Sequence, residues 1–159
     1  MMEKSAGIIL FKYQREKEKS STENGMTRRK KGERKYLLLK YAEYKDYWGL
    51  CKGRIESGET ETEAAFREVQ EEAGLHDISF IDGFQEKFGY FFTVNGEKIY
   101  KEVVWFLGEV LDDHDGILSS EHEDLAWLSF SEAIARITHK KDADVVQKAE
   151  EFLQTLKGN

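Results

Sequence analysis

The stretch Gly53–Leu75, GRIESGETETEAAFREVQEEAGL, constrains the fold of this chain more than any other. Thr60 with Glu63 three residues later makes a capping-box start, Gly74 is a left-handed stop, and no proline interrupts the run between. The spacing therefore predicts one helix between Thr60 and Gly74. Setting Arg67 at zero on a wheel of about 100° per residue, Glu71 falls at roughly 40°, Glu68 at roughly 100° and Glu72 at roughly 140°. Ala65, Val69, Thr62, Ala73 and Phe66 take roughly 160° to 260°, the stripe expected to pack on a sheet. The predicted helix is anchored on one side and acidic on the other.

Carboxylates gathered this closely repel, and Glu68 and Glu72 form a destabilising like-charge pair at i, i+4. Arg67 can pair with Glu59, and a divalent cation can absorb the remaining charge. An all-oxygen ligand set points to Mg²⁺ or Mn²⁺ over zinc. A solvated face is the ordinary reading of an acidic run. Here the full spacing argues otherwise.

Gly53, Glu59, Arg67, Glu68, Glu71, Glu72 and Gly74 satisfy G-x5-E-x7-R-E-U-x-E-E-x-G-U, with U apolar, without a departure. This is the Nudix box, and the chain resembles the Nudix hydrolases, which cleave a nucleoside diphosphate linked to another group. The resemblance implies an α/β fold: an α/β/α sandwich with a mixed sheet, a catalytic helix after the Nudix loop, and C-terminal helices. It also implies that Glu68, Glu71 and Glu72, with the Gly53 carbonyl, hold Mg²⁺, with Mn²⁺ as a substitute. Glu121, from a distant loop, would complete the metal shell or take a proton from the attacking water.

Composition fits one small enzyme domain: 159 residues, 40% hydrophobic and 13% aromatic, suit one core over residues 1–159. Cys51 is the one cysteine, so an internal disulfide framework is excluded, and no apolar run reaches the length of a membrane span. Ala6–Phe11 reads as a strand rather than a signal peptide, so a cytoplasmic protein is expected. The net charge of −7 argues against broad binding of nucleic acid, which is not expected except as a 5′-end substrate or through a tether at the basic run Arg28–Lys31. Cations would have to bridge an acidic site to an acidic substrate. The basic run Arg28–Lys31 lies in a polar stretch, 14–34, expected to be a flexible excursion between strands.

Strands are predicted at Ser5–Tyr13, Lys35–Tyr41, Ile78–Tyr90, Phe91–Val94, Ile99–Val110 and Leu125–Leu128, with a hairpin turn at Asn95-Gly96. Ser131 is expected to cap a short helix through about Thr138, and Asp142 to open a last amphipathic helix. Trp48, Phe92, Trp105 and Trp127 are assigned to the core. Asp112–Gly116 hints at a calcium loop, but the register puts Leu111 and His122 where oxygen ligands are needed, so it reads as a turn. Cys51 has no zinc spacing and is read as a packing residue.

Outside the box, SAGIILF, the LLL of the second strand, Trp48 ahead of Lys52-Gly53, Tyr90, and SEHEDLAWL at 120–128 resemble the asymmetrical bis(5′-nucleosyl)-tetraphosphatases. Those enzymes hydrolyse diadenosine tetraphosphate to ATP and AMP. The chain departs from them at Cys51 and Ser57, where prolines are usual, and at 45–47, where some members carry histidines. The resemblance implies that Lys52 and Lys101 contact phosphate and that Tyr90 stacks an adenine, with Tyr47 at the same substrate site. His122 reads as a surface histidine. Alternative activities are removal of pyrophosphate from RNA 5′ ends, hydrolysis of a nucleoside triphosphate, or nucleotide binding without cleavage.

Overall fold

The computed structural model describes residues 2–15 and 31–157. Its centre is β1 (Met2–Arg15), whose apolar run ILF alternates between two buried faces. Ile8 and Leu10 enter one core cluster, Ile9 and Phe11 the other. The next strand, β2 (Lys31–Tyr41), repeats the arrangement, with Leu37 and Leu39 on the first side and Tyr36 and Leu38 on the second. A side-chain period of two makes each strand feed both cores.

Three short elements follow: β3 (Tyr47–Gly49), β4 (Cys51–Arg54) and the helix α1 (Glu61–Ala73). Then come β5 (Ile78–Phe80), β6 (Glu86–Val94), β7 (Glu97–Val110), β8 (His122–Leu128), α2 (Phe130–Arg136) and α3 (Lys140–Lys157). The sheet is mixed, because β1 runs parallel to β7 and its other pairings are antiparallel. One edge of β1 divides: Ser5–Ile8 pairs with β4, whereas Phe11–Arg15 pairs with β2. That fork lets α1 sit against β1, β4 and β7 on one face while α2 and α3 cover the other. The expected α/β/α sandwich is the architecture found.

Several predicted boundaries are corrected. Ile78–Tyr90 is two strands rather than one, because Gly83 at φ 92° turns the chain between β5 and β6. No break falls between Tyr90 and Phe91. Asn95 and Gly96, both at positive φ, make the expected tight turn into β7. Ser129, not Ser131, caps α2 through a full capping box with Glu132. The last helix opens at Lys140, two residues before Asp142. β3 and β4, of 3 and 4 residues, are too short to carry a strand signal. The strands reach Arg15 and resume at Lys31, shortening the expected 14–34 excursion; Glu16–Lys30 lie outside the described residues. Trp105 is in the core, and Trp127, half-buried under Lys12, packs against it, but Phe92 lies off both clusters. Asp112 accepts the backbone N–H groups of His76 and Asp77, as a turn residue would. Among the described residues no helix is long and apolar enough to cross a membrane.

One polar cluster joins α3 to the sheet. Arg34 on β2 donates to Glu150 on α3 at 2.6 Å, and the Tyr36 hydroxyl donates to the same carboxylate. Burial pushes the Glu150 carboxyl up, but Tyr36 and Arg34 outweigh it and hold it below the ordinary range. The Arg34 side chain is only 7% exposed, so Glu150→Ala would leave a buried cation without its counter-charge. We expect a loss of about 3 kcal/mol, or a fall in Tm of roughly 6 to 12 °C at neutral pH. Since a depressed carboxyl stabilises the fold above its unfolded pKa and loses that effect as pH falls through its folded pKa, the gap between variant and parent should narrow in acid. A gap that is constant with pH in thermal melts would contradict this account.

Candidate active site

Helix α1 forms as its ends dictate: Thr60 accepts the Glu63 backbone N–H at 3.1 Å, and Gly74 closes the last turn at φ 62°. Its buried residues are Ala64, Ala65, Val69, Glu72 and Ala73, whereas Thr62 is exposed. Ala64 lies at roughly 60° on the wheel and Thr62 at roughly 220°, so the buried arc is rotated into the acidic half. The separation of packed and acidic faces is therefore corrected. Glu72 is 6% exposed and the Glu68 side chain 13%, while the Glu71 side chain stands 58% exposed.

Gly53 on β4 makes that rotation possible. A Cβ there would stand 2.0 Å from the Glu68 carboxyl carbon. Only a residue without a side chain lets the acidic flank of α1 press on the strand. The glycine of the motif thus has a packing cause.

Arg67 pairs with Glu59 as expected, Nε to Oε2 at 2.7 Å and Nη2 to Oε1 at 3.0 Å. It also donates from Nη1 to Glu68 at 2.8 Å and to Glu71 at 3.2 Å, and from Nη2 to the Arg54 carbonyl at 2.9 Å. The guanidinium fork ties the loop before α1 to the helix. Arg67 and the Glu56 backbone N–H hold the Glu59 carboxyl below its usual range. Arg67 Nη1 thus holds an oxygen of both Glu68 and Glu71. Among the described residues no three acidic, histidine or cysteine side chains are grouped closely enough to hold an ion.

Glu72 is the most perturbed acid of the site. Burial first, and then the Glu68 charge beside it, push its carboxyl from an ordinary 4.5 to about 9, against the backbone N–H of Lys52. Its Oε2 has no hydrogen-bond partner. Burial also raises Glu68, against the pull of Arg67. A buried oxygen without a partner, a second half-buried carboxylate beside it and a bare glycine backbone form an oxygen donor set that suits a hard divalent cation. Glu121 is exposed but near enough to add its charge to Glu72. The loop before it folds back on α1, with the Ser119 N–H donating to the Glu72 carbonyl at 3.4 Å. Cys51 is fully packed, its thiol pushed up by burial and by Glu72, in keeping with a packing role.

His122 is not a surface residue. It is 6% exposed, its ring 4.6 Å from that of Tyr41, with Nδ1 3.0 Å from the Ser119 hydroxyl and Nε2 unpartnered. Burial lowers its pKa against the Glu121 charge. Alternation explains the error: as the first residue of β8, His122 turns inward and its neighbours do not.

Beside the acids opens a pocket lined by Tyr47 from β3, Lys52 from β4, Tyr90 from β6 and Trp105 from β7. Lys52, Tyr47 and Tyr90 are thus brought together as expected. Lys101 sits opposite Tyr90 in the β6–β7 ladder but does not line the pocket. Phe88 and Val103 complete the strand side, and His139, Lys141 and Asp142, around the start of α3, line the pocket without having been expected there. The Lys141 ammonium lies 4.8 Å from the Tyr90 ring centroid. No local pattern marks them, because they arrive through a tertiary contact: Trp48 donates to Thr138 at 2.9 Å and accepts from it at 3.1 Å. Burial raises the Asp142 carboxyl against the charges of Lys52, His139 and Lys101. The Tyr47 hydroxyl is pushed up to about 12, by burial and by Asp142.

A family model, the NUDIX domain, matches residues 25–153. The chain belongs to the NUDIX family. This NUDIX domain is 36% identical over 124 residues to the bis(5′-nucleosyl)-tetraphosphatase [asymmetrical] of Sus scrofa, covering 76% of this chain and 82% of that one. It is 25% identical over 155 residues to the enzyme of the same name from Caenorhabditis elegans, covering 96% and 98%. A crystal structure of a C. elegans Ap4A hydrolase binary complex superposes with a TM-score of 0.74 at 24% identity over 96% of this chain and 98% of that one, a likeness of fold.

The position of Glu72 has a consequence for stability. Below pH 4.5 its carboxyl is protonated in both folded and unfolded chains; between 4.5 and about 9 the unfolded chain ionises while the fold retains the proton, so stability falls as pH rises. Glu72→Gln removes that penalty. In chelator-treated protein the variant should melt higher than the parent at pH 8, by about 1 to 3 kcal/mol, and match it near pH 4. A variant less stable at pH 8 would sink the assignment.

Proposed function

We propose that this NUDIX domain is a Mg²⁺-dependent hydrolase that cleaves diadenosine tetraphosphate to ATP and AMP by attack of water on a phosphate. The observation that carries the reading is adjacency. The Lys52 backbone N–H acts on the Glu72 carboxyl, and its side chain lines the aromatic pocket, over the Trp105 ring. One residue thereby links a cation-suited acid cluster to a base-suited cleft. The names of the relatives add the dinucleoside tetraphosphate as the substrate to test first.

Glu68, Glu71 and Glu72, with the Gly53 carbonyl, would hold Mg²⁺, and Mn²⁺ could replace it. When bound, the metal would neutralise phosphate charge and lower the pKa of water. Arg67 and Glu59 position this set: with its guanidinium on Glu59, Arg67 holds Glu68 and Glu71. Glu121 completes the shell or takes the proton of the attacking water. The water oxygen bonds to phosphorus, the bridging P–O bond breaks, and the departing nucleotide leaves with that bridging oxygen. Lys52 neutralises phosphate charge, and Tyr90, with Tyr47 at the same cleft, stacks the adenine, a contact worth roughly 1 to 3 kcal/mol. Lys101, outside the lining, is left a longer-range electrostatic part.

In ¹⁸O water with Mg²⁺, diadenosine tetraphosphate should yield ATP and AMP with label in one product. Glu72→Gln should lower kcat by at least about a hundredfold with little change in binding, and Tyr90→Ala should raise KM about tenfold. Faster turnover of 5′-triphosphorylated RNA or of a nucleoside triphosphate would replace the substrate. Tight nucleotide binding without hydrolysis of any of them would make the domain a binding module.

A further inference from the structure

The pocket contains an acid that none of these roles uses. Asp142 is 6% exposed, lines the cleft, and among the described residues its carboxylate accepts no hydrogen bond. Its oxygens are not sealed off among the buried unpartnered atoms, so the donors of a molecule in the cleft can reach them. As the third residue of α3 it is favoured by the helix dipole. That does not explain its oxygens: the cap of α3 is made by His139, whose carbonyl accepts from Asp142 and Ala143 and whose Nδ1 accepts from Lys141. Asp142 Oδ2 instead lies against β3, 3.5 Å from the position a Cβ on Gly49 would take. The side chains whose fields reach it, Lys52, His139 and Lys101, form no ion pair with it within 4 Å among the described residues.

The groups that share the cleft supply a partner. Lys52 stands at the acid cluster, where phosphate would lie; Tyr90, under Lys141, stands where a base would stack; Asp142 lines the same cleft, adjacent in sequence to Lys141 and within the field of Lys52. A negative charge at that point repels phosphate and offers two acceptors. Between the phosphate and the base of a nucleotide stands the ribose, whose 2′ and 3′ hydroxyls are two adjacent donors. Carboxylate-to-ribose hydrogen bonding is the way acids serve in other nucleotide sites. We propose that Asp142 is a specificity-determining residue that accepts hydrogen bonds from the ribose hydroxyls of the stacked nucleotide, making the site selective for ribonucleotides over deoxyribonucleotides.

The inference rests on the reading of the pocket as a nucleotide site and is tested apart from hydrolysis. By titration calorimetry in chelator, the full chain should bind AMP at least about tenfold more tightly than 2′-deoxy- or 3′-deoxy-AMP, since a site built to hydrogen-bond a hydroxyl rejects the analogue lacking it. In Asp142→Ala that ratio should fall to within about twofold of one, through weaker AMP binding, and Asp142→Asn, which retains one acceptor, should fall between. The ratio of kcat/KM for diadenosine tetraphosphate to that for its 2′-deoxy counterpart should follow the same order. Equal binding of AMP and both deoxy forms by the parent, a comparison that needs no variant to fold, would overturn the proposal. So would a ratio unchanged in a folded Asp142→Ala. Discrimination in binding without hydrolysis of the dinucleotide would uphold Asp142 and refute the substrate; hydrolysis without discrimination would do the reverse.

Discussion

The contact between α1 and β4 governs this molecule. An amphipathic helix ordinarily turns its charged face to water, but here the backbone of Gly53 lies under the carboxylate of Glu68, and Glu72 is carried into the sheet interface. The apolar residues Ala64, Ala65, Val69 and Ala73 are small, so the helix lies close to the sheet and its longer acids are drawn inward. Larger residues at those alanines would lift the helix and set the acids free in solvent. The same closeness that buries apolar surface thus creates the unfavourable burial of charge.

Arg67 holds that conflict in check. Its fork reaches Glu59, Glu68, Glu71 and the Arg54 carbonyl, tying the loop before α1 to the helix and to the end of β4. It leaves Glu72 uncompensated, with a buried oxygen and a raised pKa. Residues that weaken a fold in this way concentrate where binding or chemistry requires them. The strong core on the far face, anchored by Arg34, Tyr36 and Glu150, is what allows the near face to carry the strain.

What could be read from the chain follows the range of each interaction. The ends of α1, the Arg67–Glu59 pair and the Asn95-Gly96 turn depend on neighbours within a few residues, and each is found where the pattern places it. The tilt of α1 depends on β4, which had no strand signal of its own, so the buried arc was misplaced by the width of one residue row. His122 was misjudged for a related reason: a β-strand boundary off by three residues reverses nothing in the period, but it leaves the first residue unassigned to a face. Tyr47, Lys52 and Tyr90 could be grouped through family resemblance; Lys101, their companion in that grouping, proves to stand outside the lining.

Asp142 shows where local reading ends. In the sequence it is an unremarked acid in KKDAD, suited to opening a helix, and local chemistry accounts for it fully. Its depth comes from the docking of the α2–α3 turn on β3, through the paired hydrogen bonds of Trp48 and Thr138. That contact adds a fourth side to a cleft otherwise built from strands. Without it the pocket would be a shallow aromatic shelf on β6 and β7, able to stack a ring but offering the sugar nothing. The C-terminal helix therefore does more than cover the far core: its first turn supplies the cleft with a cation over Tyr90 and an acid beside it. Affinity for a ring can come from the sheet alone, whereas discrimination among nucleotides needs polar groups fixed at a distance from it. The short turn before α3 is what fixes them.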